Sequence, residues 1–197
     1  MPDHEDHPAP RQRIVIVGTT GSGKTTLARR AAAIIGGRHI ELDALQYGPG
    51  WTKVDSETFR DSLRAAIDGQ GRWATCGGYR RYVSDITWPI ADEIVWIDLP
   101  FPVTYSRMVR RTFARRMRNE ELWHGNRESL RSMFFSRESM LLFGIQYRNK
   151  YRREYPAALS DPALAHVPVA RLRRQRDVTA WLQGLAAEWQ HAKQVSG

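Results

Sequence analysis

Short apolar runs rich in β-branched residues alternate along the chain with longer stretches in which apolar residues recur every three or four positions. The short runs have the length of buried strands, and the longer stretches that of amphipathic helices. This alternation predicts an α/β fold with a five-stranded parallel sheet flanked by helices on both faces. The predicted strands are Ile14–Val17, His39–Leu42, Trp73–Cys76, Glu93–Asp98 and Val167–Leu172.

Residues with known capping preferences mark the ends of several predicted helices. The first helix runs from Lys24 to Ile35 and stops at Gly36-Gly37, because glycine favours the left-handed conformation that ends helices. The second runs from Asp55, a plausible N-cap, to Asp68. Asp177 is predicted to cap the last helix, whose apolar stripe comprises Val178, Trp181, Leu182, Leu185 and Trp189.

Two further helices are predicted between the fourth and fifth strands. Pro102 opens the first, because proline is tolerated at the start of a helix. The second is one long helix, or two joined ones, over residues 127–155, stopped by Pro156. The apolar positions that recur in the first are Val103, Met108, Val109, Phe113 and Met117.

The composition of the 197 residues, 42% of them hydrophobic, suits one domain with a single core. Residues 1–12, with three prolines, two histidines and three acids, predict a disordered tail ahead of one domain over 13–197. A single cysteine, Cys76, excludes a disulfide scaffold. No run approaches the length of a membrane-spanning helix, and the first residues lack the apolar core of a secretory signal. A soluble cytoplasmic protein is expected.

The net charge of +9 is concentrated in one segment. Between Tyr105 and Tyr155 the charges sum to +8, and 26 of the 30 basic residues in the chain are arginines. Arginine presents a planar pair of donors that matches phosphate oxygens. The segment therefore suits nucleic acid, a nucleotide or another polyphosphate, and composition does not choose among them.

The strongest motif is a glycine-rich turn between the first strand and the first helix. It fits the pattern G-x-x-x-x-G-K-[ST], in which backbone N–H groups and a helix N-terminus hold phosphates. In such a loop Lys24 reaches the terminal phosphates of a nucleoside triphosphate, and the hydroxyl of Thr25 binds Mg²⁺. The predicted phosphate-binding residues are Gly18, Thr19, Thr20, Gly21, Ser22, Gly23, Lys24, Thr25 and Thr26.

Other features narrow the class of nucleotide-binding protein. The one Asn-Lys pair, Asn149-Lys150, lacks the Asp that reads guanine, and the chain is short for a motor ATPase. A small phosphotransferase remains. The segment IVWIDLPFPVTYSRMVRR (Ile94–Arg111) resembles the adenylate-kinase strand, Asp-x-Pro turn and arginine-bearing helix that leads into the lid. The motifs HIELDAL, PGW and CGGYRR resemble the adenylate-kinase-related proteins called DNA topology modulation proteins.

The resemblance implies a P-loop kinase with ATP as donor, Mg²⁺ as cofactor and an arginine-rich helical lid over about 110–131. The acceptor would be a hydroxyl or phosphate group of a small molecule such as a nucleoside, a nucleotide or a related compound. It places Arg107 near the adenine and Arg111 on the phosphates, with Arg110 and Arg115 also in the lid region. Lys24 and Arg111 would both act on the transferring phosphate.

The resemblance also implies an acceptor side, in an insert over about 43–72 and beyond the third strand. Asp43 would orient the acceptor hydroxyl, or else cap the following turn. Arg80 would bind an anionic group of the acceptor. Trp51 and Tyr79 would stack on the acceptor or pack in the core.

One residue departs from the family pattern. Where adenylate-kinase-like enzymes place an acidic residue at the end of the third strand, this chain has Cys76, and Mg²⁺ prefers oxygen ligands to sulfur. Either Asp43 or Asp98 is expected to hold the ion through water. Asp98 has an alternative interpretation as a turn residue.

A different function class stays open. The basic segment could let a P-loop NTPase associate with nucleic acid, and the aromatic residues between Met133 and Tyr155 could stack on bases. Packing of those aromatics in the core explains them better. A nucleic-acid binder would lose affinity steeply between about 50 and 200 mM salt.

Overall fold

Strands and helices alternate along the chain, and the carboxyl ends of the strands lie at one edge of the sheet. The computed structural model describes residues 9–117, 121, 123–126 and 151–195. In chain order its first half comprises β1 (Arg13–Gly18), α1 (Lys24–Ile35), β2 (Arg38–Glu41), α2 (Leu42–Gln46), a 3₁₀ turn (Pro49–Trp51), α3 (Ser56–Ile67) and β3 (Trp73–Cys76). Its second half comprises α4 (Arg80–Thr87), β4 (Glu93–Ile97), α5 (Phe101–Met117), a 3₁₀ turn (Trp123–Gly125), helical residues 151–159 (α6), a 3₁₀ turn (Pro162–Leu164), β5 (Val169–Leu172) and α7 (Gln175–Val195).

The five strands form one sheet in the order β2-β3-β1-β4-β5, and all neighbouring strands are parallel. The predicted sheet is confirmed, with strand ends shifted by one or two residues. Because the strands are parallel, the loops after β1, β2, β3 and β4 meet at the same edge, which is where open α/β sheets bind their ligands.

Side chains of β1 alternate between two apolar clusters, one on each face of the sheet. Ile14 and Ile16 pack with α1 and α7, whereas Val15 and Val17 pack with α3, α4 and α6. This alternation follows from the two-residue period of a strand. It confirms that helices cover both faces, so the strand ends are the part of the sheet left open for a ligand.

Two predicted helix ends are confirmed with their capping geometry. Gly36 follows α1 at φ 61°, and its N–H donates to carbonyls at the end of α1. Asp55 caps α3, since its side chain accepts hydrogen bonds from the N–H groups of Glu57 and Thr58. Both ends follow from local backbone chemistry.

The predicted start of α7 is wrong by three residues, because the helix begins at Gln175 and not after Asp177. Asp177 lies inside the first turn, where Oδ2 accepts hydrogen bonds from the N–H groups of Arg173 and Arg174 at 3.0 and 2.8 Å. The carboxylate thus satisfies N–H groups from within the helix rather than at the N-cap. The apolar stripe of α7 is confirmed, with Leu182, Leu185 and Trp189 buried.

Pro156 does not stop its helix as predicted, because residues 151–159 are helical. Tyr155 is 1% exposed and contacts the rings of Trp88 and Trp96, with ring centroids 6.5 and 5.7 Å away. Burial of this ring holds the helix against the sheet and outweighs the hydrogen bond that proline removes.

The buried face of α5 differs from the predicted apolar stripe. Met108 is buried together with Thr104 and Thr112, whereas Phe113 and Met117 are exposed. The short helices α2 and α4 were not predicted, because each buries only two residues and shows little periodicity. No helix in the described ranges has both the length and the apolar character needed to cross a membrane.

Candidate active site

The loop after β1 is pressed between β4 and α5. At Gly21, with φ 78°, a Cβ would overlap the carbonyl oxygen of Thr104 in α5. At Gly18, with φ 149°, a Cβ would lie 2.6 Å from the carbonyl oxygen of Ile97. Only glycine combines this backbone conformation with such close contact. Gly18 and Gly21 are therefore required by the packing of the loop.

The loop presents donors to its concave side. α1 begins directly after Gly23, with no side chain bonded to its first N–H groups and no acidic residue in its first turn. The ammonium of Lys24 donates a hydrogen bond of 2.8 Å to the carbonyl oxygen of Thr19, across the loop. Open N–H groups at a helix N-terminus beside a lysine attract phosphate groups.

Charges from several elements act on Lys24. Burial lowers its pKa, the nearby carboxylates of Asp43 and Glu41 oppose that shift, and the positive charge of Arg111 adds to it. The structure thus brings Lys24, Asp43 and Arg111, the three predicted catalytic residues, into one electrostatic neighbourhood. It also adds Glu41, which sequence reasoning missed.

Glu41 is the last residue of β2 and reaches the predicted magnesium-binding hydroxyl. Its Oε1 accepts a hydrogen bond of 3.0 Å from Thr25 Oγ1. Its Oε2 accepts a bond of 3.3 Å from the indole N–H of Trp123. The family pattern expects an acid at the end of β3, and Glu41 is the carboxylate at the end of β2, the strand next to β3. This position is the signal from which Glu41 could have been predicted.

Cys76 ends β3 beside these residues. Its sulfur lies 3.9 Å from Thr25 Oγ1 and 3.4 Å from Nε2 of His39. Burial, followed by the charge of Glu41, raises the pKa of the thiol to about 12. At neutral pH Cys76 is therefore a protonated thiol. It does not supply the anionic oxygen that a magnesium site needs.

Asp98 follows β4, on the other side of β1 from Glu41 and Cys76. Its Oδ1 accepts a hydrogen bond of 2.9 Å from Arg152, and its Oδ2 accepts one of 2.6 Å from Arg171. With both oxygens bound to guanidinium groups, Asp98 acts as an anchor between β4, β5 and α6. The geometry favours Glu41 over the predicted Asp98 as the carboxylate beside Thr25.

Asp43 lies in the first turn of α2, two residues beyond β2. Its Oδ1 accepts a hydrogen bond of 2.6 Å from the hydroxyl of Tyr79. Burial, followed by the charge of Asp43, raises the pKa of Tyr79, so the phenol keeps its proton and stays a donor. The structure thus joins two predicted acceptor residues from different loops in one hydrogen bond.

The arginines of α5 occupy different surroundings. Arg107 donates a hydrogen bond of 2.8 Å to Gln175 at the start of α7, and its guanidinium lies over Gly23 of the loop. Arg111, one turn later, acts on Lys24. Arg110 is exposed, and Arg115 is half-buried. Four residues apart on α5, Arg107 lies near Gly23 and the charge of Arg111 acts on Lys24, while their nucleotide-binding roles stay a prediction.

Arg80 is bound to a carboxylate. Its Nη2 lies 3.2 Å from Oε2 of Glu154 on α6, and Arg81 lies 2.8 Å from the other oxygen of that group. The predicted anion-binding residue is therefore part of an ion pair that joins α4 to α6.

Trp51 lies in the turn after α2, which is held by a distant segment. The N–H of Trp51 donates a hydrogen bond of 3.0 Å to Oδ1 of Asn126, and Nδ2 of Asn126 donates one of 2.9 Å to the carbonyl of Gly48. Asn126 is 4% exposed, and the ring of Trp51 contacts those of Tyr47 and Trp123. Trp51 therefore belongs to an aromatic cluster at the carboxyl edge of the sheet, and 37% of its surface is exposed.

Several predicted features lie outside the described residues. They are residues 1–8 of the tail, the lid arginines Arg118, Arg127 and Arg131, and the aromatic run from Met133 to Tyr147. Because much of the basic segment belongs to this group, the nucleic-acid alternative stays a prediction.

No protein-family model and no curated protein sequence matches the chain. Its fold is similar to that of several solved kinases, all at low sequence identity. Shikimate kinase from Bacteroides thetaiotaomicron aligns over 88% of this chain and 95% of its own, with 17% identity and a TM-score of 0.49. A gluconokinase from Sinorhizobium meliloti 1021 aligns over 94% and 99%, with 19% identity and a TM-score of 0.49. A sugar kinase from Janibacter sp. HTCC2649 aligns over 91% and 98%, with 22% identity and a TM-score of 0.47.

Proposed function

We propose that this protein is an ATP- and Mg²⁺-dependent kinase that transfers the γ-phosphate of ATP to a hydroxyl group of a small molecule. The observation that carries the proposal is that two features share one edge of the sheet: the phosphate-binding loop with Lys24 bonded across it, and Asp43 two residues beyond β2, where Tyr79 holds its carboxylate. A cation for phosphate and a base for a hydroxyl are the two charges that phosphoryl transfer to an alcohol requires.

The donor nucleotide is held by the loop and by α5. The N–H groups of the loop and of α1 bind the phosphate oxygens, and Lys24 exchanges its contact with the carbonyl of Thr19 for the terminal phosphates. Arg107, between Gly23 and Gln175, would lie beside the nucleoside, and Arg111, whose charge acts on Lys24, would add a second cation near the phosphates.

Thr25 and Glu41 fit Mg²⁺, because a hydroxyl and a carboxylate 3.0 Å apart are both hard oxygen ligands. When bound, Mg²⁺ neutralises charge on the phosphates and holds them in a reactive orientation. No group of three His, Cys, Asp or Glu side chains forms a metal site within the described ranges. That is compatible with Mg²⁺, which takes most of its ligands from water and substrate phosphates.

Asp43 is the base in this proposal. It accepts the proton of the acceptor hydroxyl as that oxygen bonds to the γ-phosphorus and the bond from phosphorus to the ADP oxygen breaks. Tyr79 donates to Oδ1, which fixes the carboxylate and leaves Oδ2 for the acceptor. The products are ADP and a phosphate ester. A cytoplasmic location would supply ATP and keep Cys76 reduced.

The test is ADP formation by the purified protein with MgATP, measured in the absence and presence of single hydroxylated compounds. The proposal expects at least one compound to raise the rate at least tenfold over hydrolysis by water. An ATP turnover that no hydroxylated compound changes, or no binding of MgATP in calorimetry, would contradict it.

A further inference from the structure

The acceptor carboxylate Asp43 is linked to a series of aromatic side chains. Tyr79 donates to it at 2.6 Å, and, after burial and Asp43, the phenol of Tyr47 also raises the pKa of Tyr79. The ring of Tyr47 then contacts that of Trp51 edge to face, with centroids 5.6 Å apart. Aromatic faces and two phenol groups thus extend from Asp43 across the turn after α2.

At its other end the series of aromatic side chains contacts Glu41, the second carboxylate of the site. The ring of Trp51 contacts that of Trp123 with centroids 6.3 Å apart, and the indole N–H of Trp123 donates to Glu41. We call Tyr47, Trp51, Tyr79 and Trp123 the acceptor wall. It joins the base at Asp43 to the carboxylate beside Thr25, so a molecule placed for transfer must lie against it.

The acceptor wall is a built feature rather than a chance contact of exposed rings. Trp51 has φ 60°, a conformation that side chains larger than glycine rarely adopt. Both its N–H and the carbonyl of Gly48 are bonded to the buried amide of Asn126. The backbone therefore holds a strained conformation that positions the Trp51 ring between Tyr47 and Trp123.

The charges near the wall disfavour an anionic acceptor. Asp43 and Glu41 are each hydrogen-bonded to a residue of the acceptor wall. Arg80, the residue predicted to receive an anionic group, is paired with Glu154, and both side chains of the pair are about three-quarters buried. A carboxylate or phosphate on the acceptor would meet the carboxylate of Asp43 and an arginine whose charge is compensated by Glu154.

We infer that the acceptor is an uncharged polyhydroxylated ring compound, a sugar or cyclitol, rather than a hydroxy acid or a phosphorylated compound. Its hydroxyl groups would donate to Asp43 and accept from the phenols, and its C–H face would pack on the acceptor wall. This inference rests on the proposed kinase function, and it adds the chemical class of the acceptor.

The test compares kcat/KM for D-glucose and myo-inositol with that for D-gluconate, shikimate and AMP, at constant MgATP. The neutral compounds are expected to be better by at least tenfold. Binding is measured separately by quenching of tryptophan fluorescence, with Trp51→Phe as the control that removes one reporting ring. Failure of every neutral compound to bind or to be phosphorylated would overturn the inference.

Glu154→Gln tests the role of the ion pair. Glutamine keeps the shape but frees the charge of Arg80, so KM for D-gluconate should fall at least tenfold while that for D-glucose changes little. Arg81→Ala is the matched control, because it removes the exposed partner of the same carboxylate and leaves the Arg80 pair in place.

An unchanged ratio in Glu154→Gln would overturn the inference, and the wild-type comparison decides alone if that variant does not fold. Transfer to an anionic compound only would refute the acceptor class and leave the kinase function standing. Absence of MgATP binding would refute the kinase function itself.

Discussion

The loop after β1 and the surface after β2 lie at the same edge of the sheet, but they are built in different ways. The loop after β1 (Gly18–Gly23), here called the donor loop, is one continuous segment whose own glycines, together with Lys24 and the start of α1, form the proposed phosphate site. The acceptor side joins α2 and its turn to Tyr79 and to residues 123–126, through hydrogen bonds between positions 75, 78 and 82 residues apart.

From this difference we expect substitutions in the two regions to have different effects on the reaction. The geometry of the donor loop depends on local backbone conformation, so changes there should affect transfer to every acceptor. The acceptor side depends on packing between distant segments. Changes there should alter which molecule is used, or how well it is oriented, with less effect on ATP binding.

Lys24→Ala should give the largest loss. Removing the cation that stabilises the transferring phosphoryl group is expected to lower kcat about 10³- to 10⁵-fold with every acceptor. Assays of ADP formation measure kcat. Lys53→Ala is the matched control, because Lys53 is an exposed lysine shortly after the 3₁₀ turn that follows α2. Wild-type turnover in Lys24→Ala would show that the loop is not the phosphate site.

Asp43→Asn should lower kcat about 10²- to 10⁴-fold, the contribution of a general base, without weakening ATP binding. Asparagine keeps the oxygen that accepts from Tyr79, so the loss reports the base and not the hydrogen bond. Tyr79→Phe separates the two, because it removes only the bond and should cost much less. A weaker ATP affinity with unchanged kcat would instead place Asp43 on the donor side.

Arg111→Ala should lower kcat about 10²- to 10³-fold, the cost of losing one donor to developing charge. Arg110→Ala is the control, since it removes the same charge from the same helix at an exposed position. Rate measurements at saturating MgATP compare the two. Equal losses would mean that only the net charge of α5 matters.

Trp123→Phe should have the smallest effect, because it removes one indole N–H bond of 3.3 Å to Glu41 while keeping an aromatic ring. The Mg²⁺ concentration for half-maximal rate should rise about 2- to 10-fold, equivalent to a bond worth about 0.5–1.5 kcal/mol. Trp51→Phe should leave that concentration unchanged, since Trp51 contacts Trp123 rather than Glu41. A change in the KM of the acceptor with no change in the Mg²⁺ concentration would contradict this prediction, since it would show that Trp123 does not act on the Mg²⁺ site.

Most of the sheet and the donor loop were predictable, because their signals are local. The side chains of the IVIV run alternate between the two faces of the sheet, as those of a buried strand must. The loop motif itself contains the glycines and the lysine that form the loop. Helix ends at Gly36 and Asp55 were predictable for the same reason. Where a tertiary contact overrides the local signal, as the burial of Tyr155 does at Pro156, prediction fails.

The acceptor side was predictable only in part. Asp43, Trp51, Tyr79 and Arg80 are all at this edge, but their partners Asn126, Trp123 and Glu154 are distant in sequence and no local pattern announces them. Glu41 was missed because the predicted second strand ran one residue further, to Leu42, so that Asp43 was taken as the carboxylate at its end. With Cys76 in the place of an acid, Asp98 was an expected magnesium ligand, but its guanidinium partners Arg152 and Arg171 are apparent only in the folded chain.

The central claim is that the two sides cooperate to move phosphate from ATP to a hydroxyl group rather than to water. The most direct measurement follows the label from [γ-³²P]ATP in the presence of Mg²⁺ and each of the five compounds above, with wild type and Lys24→Ala side by side. Wild type is expected to place label in a phosphate ester of a neutral compound, and Lys24→Ala is expected to place none there. Label found only in inorganic phosphate, whichever compound is present, would contradict it.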